Sequence, residues 1–168
     1  MPDTVPPELQ SRVLARIDDA EVVRLASDLI RIPSFTTEET PCAEWLADYL
    51  GGQGLAVTLQ EIEPGRKQTI ARLPGTGGGR SIMLNGHIDI DPLASGWTRD
   101  PFTPWIADGK LFGHGIFNMK AGVTACIMAK SYIWQKKPLP EELLRYVEQL
   151  YDERPPHLEQ RPNRLKEE

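Results

Sequence analysis

An α/β fold is predicted by three observations. Apolar residues recur at helix spacing over the first 50 positions, alternate with polar ones around 55–60, and form an unbroken run at 81–84 ahead of a second helical stretch. The chain has 168 residues, enough for one domain with its own core. Hydrophobic residues make up 40%, while much of the excess carried by 15 prolines and 14 glycines falls in the ends and in the loops between 74 and 115.

Met1 to Pro7 read as a loose start. Pro6-Pro7 then opens a helix whose apolar positions are Leu9, Val13, Leu14 and Ile17. Asp18 and Asp19 can cap a second helix carried by Val22, Leu25, Ala26, Leu29 and Ile30, which Pro33 terminates. After a polar loop from Ser34, Thr40-Pro41 supplies a cap and a first helical position. The helix that follows is expected to bury Trp45, Leu46, Tyr49 and Leu50 and to stop at Gly51-Gly52.

Leu55, Val57 and Leu59 alternate with Ala56, Thr58 and Gln60, the pattern of a half-buried strand, and Thr69–Leu73 predicts a second. Pro74 to Arg80 is a glycine-rich turn. Ser81–Leu84 reads as a third strand covered on both faces, as in the middle of an α/β sheet. Ile106 to Phe112 should fold back around Asp108-Gly109 as a hairpin, and Met119–Trp134 should be helical. Beyond Lys136 the character changes: Pro138 and Pro140 break the chain, 141–153 can form a short helix, and the charged, proline-rich remainder is expected to be disordered.

The net charge of −5 and pI near 5.3 argue against nucleic acid as the main partner, because phosphate binding needs a basic face. No stretch reaches the roughly 18 apolar residues of a membrane span, and the first residues lack the n- and h-regions of a signal peptide. Cys42 and Cys126 both fall in predicted helices and read as buried free thiols. A cytoplasmic protein fits these features.

Two stretches carry the chemistry. Asn85-Gly86-His87-Ile88-Asp89-Ile90-Asp91-Pro92 follows the apolar run, placing His87 and Asp89 near the carboxyl end of a strand, where open α/β sheets hold their ligands. Residues two apart on an extended backbone point the same way, so Asp89 can take the second N–H of a metal-bound His87 imidazole. In Gly113-His114-Gly115-Ile116-Phe117-Asn118-Met119-Lys120-Ala121-Gly122, Asn118 falls at a helix cap. Lys120 lies in the first turn, where a cation opposes the helix dipole; that hints at a partner for the lysine, although a solvated side chain is the default. The glycine-rich Gly75–Ser81 lacks the lysine and the following helix of a phosphate loop. No serine or cysteine stands in a nucleophile context. Trp97, Phe102, Trp105 and Phe112 crowd the intervening loop, where packing onto the sheet explains them as well as a site mouth does.

Together these residues resemble the M20 family, the group of acetylornithine deacetylases, succinyl-diaminopimelate desuccinylases, aminoacylases and glutamate-releasing carboxypeptidases. The matching pieces are Gly86-His87-Ile88-Asp89, Gly96-Trp97 with Asp100-Pro101-Phe102, Asp108–Gly115, and Asn118-Met119-Lys120, with the Ile32-Pro33-Ser34 stop before them. The resemblance implies part of a zinc-peptidase-like catalytic domain at 20–136, with helices packed on a mixed sheet and the lid or dimerisation domain absent. A partly helical extension at 1–19 would precede it and a divergent tail at 137–168 would follow.

By the same resemblance His87 is a metal ligand, Asp89 is the catalytic aspartate that orients it, and Asn118 stands where most members carry an aspartate bridging two zinc ions. An asparagine offers only a neutral carbonyl oxygen, a poorer bridge than a carboxylate. Ala121 replaces a usual glycine. The family's general base is the first glutamate of an acidic pair after a strand. Glu141-Glu142 comes too soon, Asp152-Glu153 has a helical flank, and His157 is the one histidine left in the tail, so no general base is assigned.

The implied activity is therefore amide hydrolysis of N-acyl amino acids or small peptides by metal-activated water, with zinc, or else cobalt or manganese, as the ion. A chain with one imidazole ligand and one amide is expected to be truncated, to hold metal weakly or not at all, and to be inactive alone. The alternative is a non-catalytic remnant or interaction module that self-associates through exposed apolar surface.

Overall fold

The computed structural model describes residues 7–15, 17–75 and 81–134. The loose start, most of the glycine-rich turn, the 141–153 helix, both acidic pairs and the charged tail lie outside the described residues.

Helix α1 spans Pro7–Leu14, opened by its proline, and stands outside the compact unit formed by Asp18–Lys130. Within that unit α2 covers Asp19–Ile30. Asp18 caps it as expected, its Oδ1 accepting from the amides of Ala20 and Glu21 at 2.9 and 3.3 Å. Leu25, Ala26, Leu29 and Ile30 are buried along one stripe. Helix α3 covers Thr40–Gly52, and its apolar stripe differs from the expected one. Cys42, Ala43, Leu46, Ala47 and Leu50 take the core face, while Trp45 and Tyr49 stack on each other half-buried at 5.3 Å. Small residues share the core face with two leucines, and the two aromatic rings stack beside it. Gly51 and Gly52 belong to the last turn. The left-handed residue that lets the chain leave is Gly54, at φ 82°.

Strands β1 (Ala56–Glu63) and β2 (Arg66–Arg72) pair antiparallel, Val57 opposite Ala71 and Gln60 opposite Gln68. Helix α3 packs on this hairpin. Thr40 does not cap its helix with its side chain. Its hydroxyl instead donates to Gly65 O at 2.6 Å and accepts from Lys67 N at 3.0 Å, tying the helix start to the β-turn. Beside it the Arg66 guanidinium grips the buried Glu39 carboxylate through Nη2–Oε1 at 2.7 Å and Nε–Oε2 at 3.3 Å.

Strands β3 (Trp105–Ala107) and β4 (Lys110–Phe112) form the expected hairpin. Asp108 and Gly109 both have positive φ, 49° and 69°, the requirement of a two-residue turn with the right twist. Trp105 and Phe112 face each other across it, stacked at 5.2 Å. A turn at Ile116–Lys120 leads into α4, Ala121–Trp134, two residues later than predicted. The core joins Leu25 and Leu29 of α2, Cys42, Leu46 and Leu50 of α3, and Val123, Ile127 and Met128 of α4. Cys42 is buried and Cys126 partly so; both are free thiols.

The third strand is a correction. Ser81–Leu84 carries no ladder among the described residues, and Ile82, Met83 and Leu84 are 72%, 84% and 49% exposed. An apolar run becomes a strand only where neighbouring backbones accept and donate its hydrogen bonds. Among the described residues both sheets are two-stranded and antiparallel, so two separate hairpins stand where a mixed sheet was expected. The nearest parallel pairing is a single bridge between Ile90 and Phe35.

Burial alone would raise the Glu39 carboxyl, but bonds from Arg66 and from the Thr37 amide outweigh it and hold its pKa below the usual 4.5. A carboxyl depressed on folding adds stability that is complete above its unfolded pKa and is lost as pH falls through the lower folded value. Acid denaturation of Glu39→Gln should therefore show a shallower loss of stability below about pH 4.5 than the parent, measured as urea midpoint against pH.

Candidate functional site

The two chemistry-bearing stretches meet although no central strand carries the first. His87, Asp89 and Asn118 come together. His87 Nδ1 lies 3.0 Å from Asp89 Oδ1 and 3.1 Å from the Asp89 carbonyl oxygen, and its Nε2 lies 3.0 Å from Asn118 Oδ1. Carboxylate and carbonyl oxygens only accept, so these partners assign the ring proton to Nδ1. Nε2 then faces the Asn118 side-chain amide: with the amide turned over its NH2 donates to the ring, and with the oxygen toward the ring the two atoms could share a cation.

Residues 88–90 are held by the loop that leaves α2. The buried Ser34 hydroxyl donates to Ile88 O at 2.6 Å, Ile90 N donates to Ser34 O at 2.9 Å, and Thr36 Oγ1 donates to Asp89 Oδ2 at 3.0 Å. Asp89 thus receives Thr36 on one oxygen and His87 on the other, which fixes the carboxylate plane and, through it, the imidazole.

Asn118 is not a helix cap, which corrects the first expectation for it. Its φ of −131° and ψ of 97° are extended, and its amide reaches His87 instead of a backbone N–H. Gly115, at φ 77°, turns the chain into this segment, and Lys120 N closes the wide turn onto Gly115 O at 3.0 Å. Lys120 has the partner its position hinted at, and the default of a solvated side chain is corrected. It is 0% exposed, and its Nζ donates to Leu29 O at 2.8 Å and Ile32 O at 2.7 Å. These carbonyls lie at the end of α2, where backbone acceptors lack helical partners and the dipole favours a cation. The lysine opposes its own helix dipole and is held by that of another. Burial pushes its pKa down and that of the nearby Cys42 thiol up.

His114 was passed over as a site residue, yet it lines the same cavity as Asn118. That cavity is about 280 Å³, bounded by Asp91, Trp97, Gly113, His114, Gly115, Phe117 and Asn118. His114 Nε2 lies 2.8 Å from Asp91 O, its backbone N–H donates to Pro101 O at 2.7 Å, and Phe35, Trp97 and Phe102 surround its ring. A histidine flanked by two glycines was the available signal. A Cβ on Gly113 would come within 2.5 Å of Ile30 Cγ2, and one on Gly115 would overlap Ile90 Cγ2. The loop therefore passes against α2 and Ile90 with no room for a side chain on either side of the ring. The aromatic residues serve both readings: Trp97 and Phe117 border the cavity, while Trp105 and Phe112 pack on each other.

Tested against a zinc centre, the donor set falls short. Zinc hydrolases use about three protein ligands at roughly 2.0–2.2 Å for N and O donors. Here one imidazole nitrogen and one amide oxygen converge, and no group of three or more His, Cys, Asp or Glu side chains is gathered among the described residues.

Comparison with known proteins places the whole constellation in a wider setting. No family model matches the chain. The chain is 39% identical over 118 residues to a succinyl-diaminopimelate desuccinylase of Cereibacter sphaeroides, covering 69% of this chain and 31% of that protein. It is 33% identical over 127 residues to that of Delftia acidovorans, covering 72% and 33%. Against that of Buchnera aphidicola it is 30% identical over 124 residues, covering 73% and 32%. The chain spans about a third of the length of the curated relatives it matches.

Ser34→Ala should destabilise the protein by about 1–3 kcal/mol, because it leaves Ile88 O without its buried donor. A lowered urea midpoint at unchanged m-value is the expected result.

Proposed function

Because the chain belongs to the M20 family of metallopeptidases and deacylases, matching its N-terminal region, we propose that it supplies one part of a deacylase site that splits the amide bond of an N-acylated amino acid. The observation that carries this reading is the alignment of Asp89, His87 and Asn118 in one chain of contacts at 3.0 Å each. In it His87 would be a metal ligand, Asp89 would orient the ring and raise its basicity, and Asn118 would offer a neutral oxygen donor. A divalent ion such as zinc, with cobalt or manganese as alternatives, supplies the activation of water in this class. The described residues lack the further ligands and the base, so no catalytic step is assigned to this chain by itself. The fold reading that goes with this is a portion of a zinc-peptidase-like domain over 20–136.

The desuccinylase names of the relatives support a succinylated diamino acid as the first substrate to try, with N-acetyl amino acids beside it. With zinc present, succinate release should be undetectable for the chain alone. It should appear when the chain is mixed with a polypeptide covering the remainder of a relative. Failure of the mixture to release succinate or acetate sinks the reading. A second result bears on the ion: Asn118→Asp, which restores a carboxylate beside His87, should retain several-fold more zinc after dialysis than the parent, and equal retention would remove Asn118 from the donor set.

A second reading, an interaction module, is favoured by the exposed run Ile82–Leu84. It requires concentration-dependent self-association in light scattering, and a monomer over the whole accessible range would dismiss it.

A further inference from the structure

The buried ammonium of Lys120 stands at the one place where both halves of the site are anchored. On one side, the segment that presents Asn118 ends at Lys120 itself, whose amide closes the turn onto Gly115 and whose carbonyl accepts from the buried Thr124 hydroxyl at 2.8 Å. On the other side, Ile32, which accepts from Lys120 Nζ, lies two residues before Ser34, and Ser34 fixes both Ile88 and Ile90. Thr36, two residues further on, fixes Asp89. The path from Asn118 to His87 through bonded contacts thus runs through Lys120 Nζ and the loop 32–36.

We propose that Lys120 is a positioning residue that sets the separation between His87 Nε2 and Asn118 Oδ1 by fastening the Asn118 segment to the loop that holds Asp89. The physical case is one of cost. A fully buried ammonium is tolerated only where acceptors compensate its lost hydration, and here two carbonyls at 2.7 and 2.8 Å do so. An apolar residue at 120 would fill the space but hold neither carbonyl, and the Asn118 segment, extended and turned at Gly115, would lose its directional anchor. Met119 and Ile88 also pack against the core, but such apolar contacts hold a distance without fixing a direction, whereas two bonds from one nitrogen fix both. The geometric claim stands by itself; its relevance to hydrolysis rests on the deacylase reading above.

The test uses the full chain with 15N-labelled histidine and long-range proton–nitrogen correlation, which reads Nδ1 and Nε2 of His87 separately. Lys120→Met should shift the His87 Nε2 resonance and abolish the through-space contact between the His87 ring and the Asn118 amide. The Nδ1 resonance, set by Asp89, should move much less. Ile127→Val trims the α4 core away from Lys120 and serves as the control for general loosening: it should lower the melting temperature and leave both His87 nitrogens in place. Should Lys120→Met not fold, Lys120→Gln, whose shorter amide holds one carbonyl at most, is read the same way with the same shift expected. An unchanged Nε2 resonance in a folded Lys120 variant, or the same shift in Ile127→Val, overturns the positioning role. Either of those outcomes leaves the deacylase reading intact, and failure of the complemented assay leaves the positioning role intact.

Discussion

The candidate site depends on a single cation placed where water cannot reach it. Lys120 satisfies carbonyls at the end of a helix more than 80 residues earlier in the chain, so α2, the loop after it and the start of α4 are fixed to one point. A packed apolar contact resists separation but permits sliding and rotation. Two short, directional bonds from one nitrogen restrict both, and inside a low-dielectric core they cannot be exchanged for solvent. Everything near the imidazole inherits its position from that arrangement, through Ser34 and Thr36 on one side and the Asn118 turn on the other.

Much of this was legible in the sequence, for local reasons. The Asp18 cap, the Asp108-Gly109 turn and the His87–Asp89 contact are decided within a few residues, by side-chain chemistry or by φ preference. What was not legible depends on contacts across the chain. Nothing near Lys120 in sequence shows that the end of α2 lies above it, and nothing near Asn118 distinguishes a capping amide from one aimed at His87. The run at 81–84 marks the limit of pattern reading. Period and composition describe what a segment prefers, whereas a strand requires partners, and none is paired with it among the described residues. Helix spacing puts Trp45 and Tyr49 on one stripe with Leu46 and Leu50. In the structure Cys42, Ala43 and Ala47 share the core face with those leucines, and the two rings are only half-buried.

The site is asymmetric in its completeness. The support around Asp89 is well provided, with Thr36 and His87 on separate oxygens and backbone bonds on both neighbours. On the other side of the ring, among the described residues, His87 meets the neutral amide of Asn118.

The tight passage of Gly113 and Gly115 also limits how this protein could be re-engineered. With Ile30 and Ile90 pressed against those two α-carbons, randomising the loop around His114 would mostly sample damaged packing, not new specificities. The opposite wall of the cavity is freer. Phe117 is 97% exposed and Trp97 39%, so a combinatorial library confined to those two positions could reshape the mouth while the scaffold beneath stays as it is.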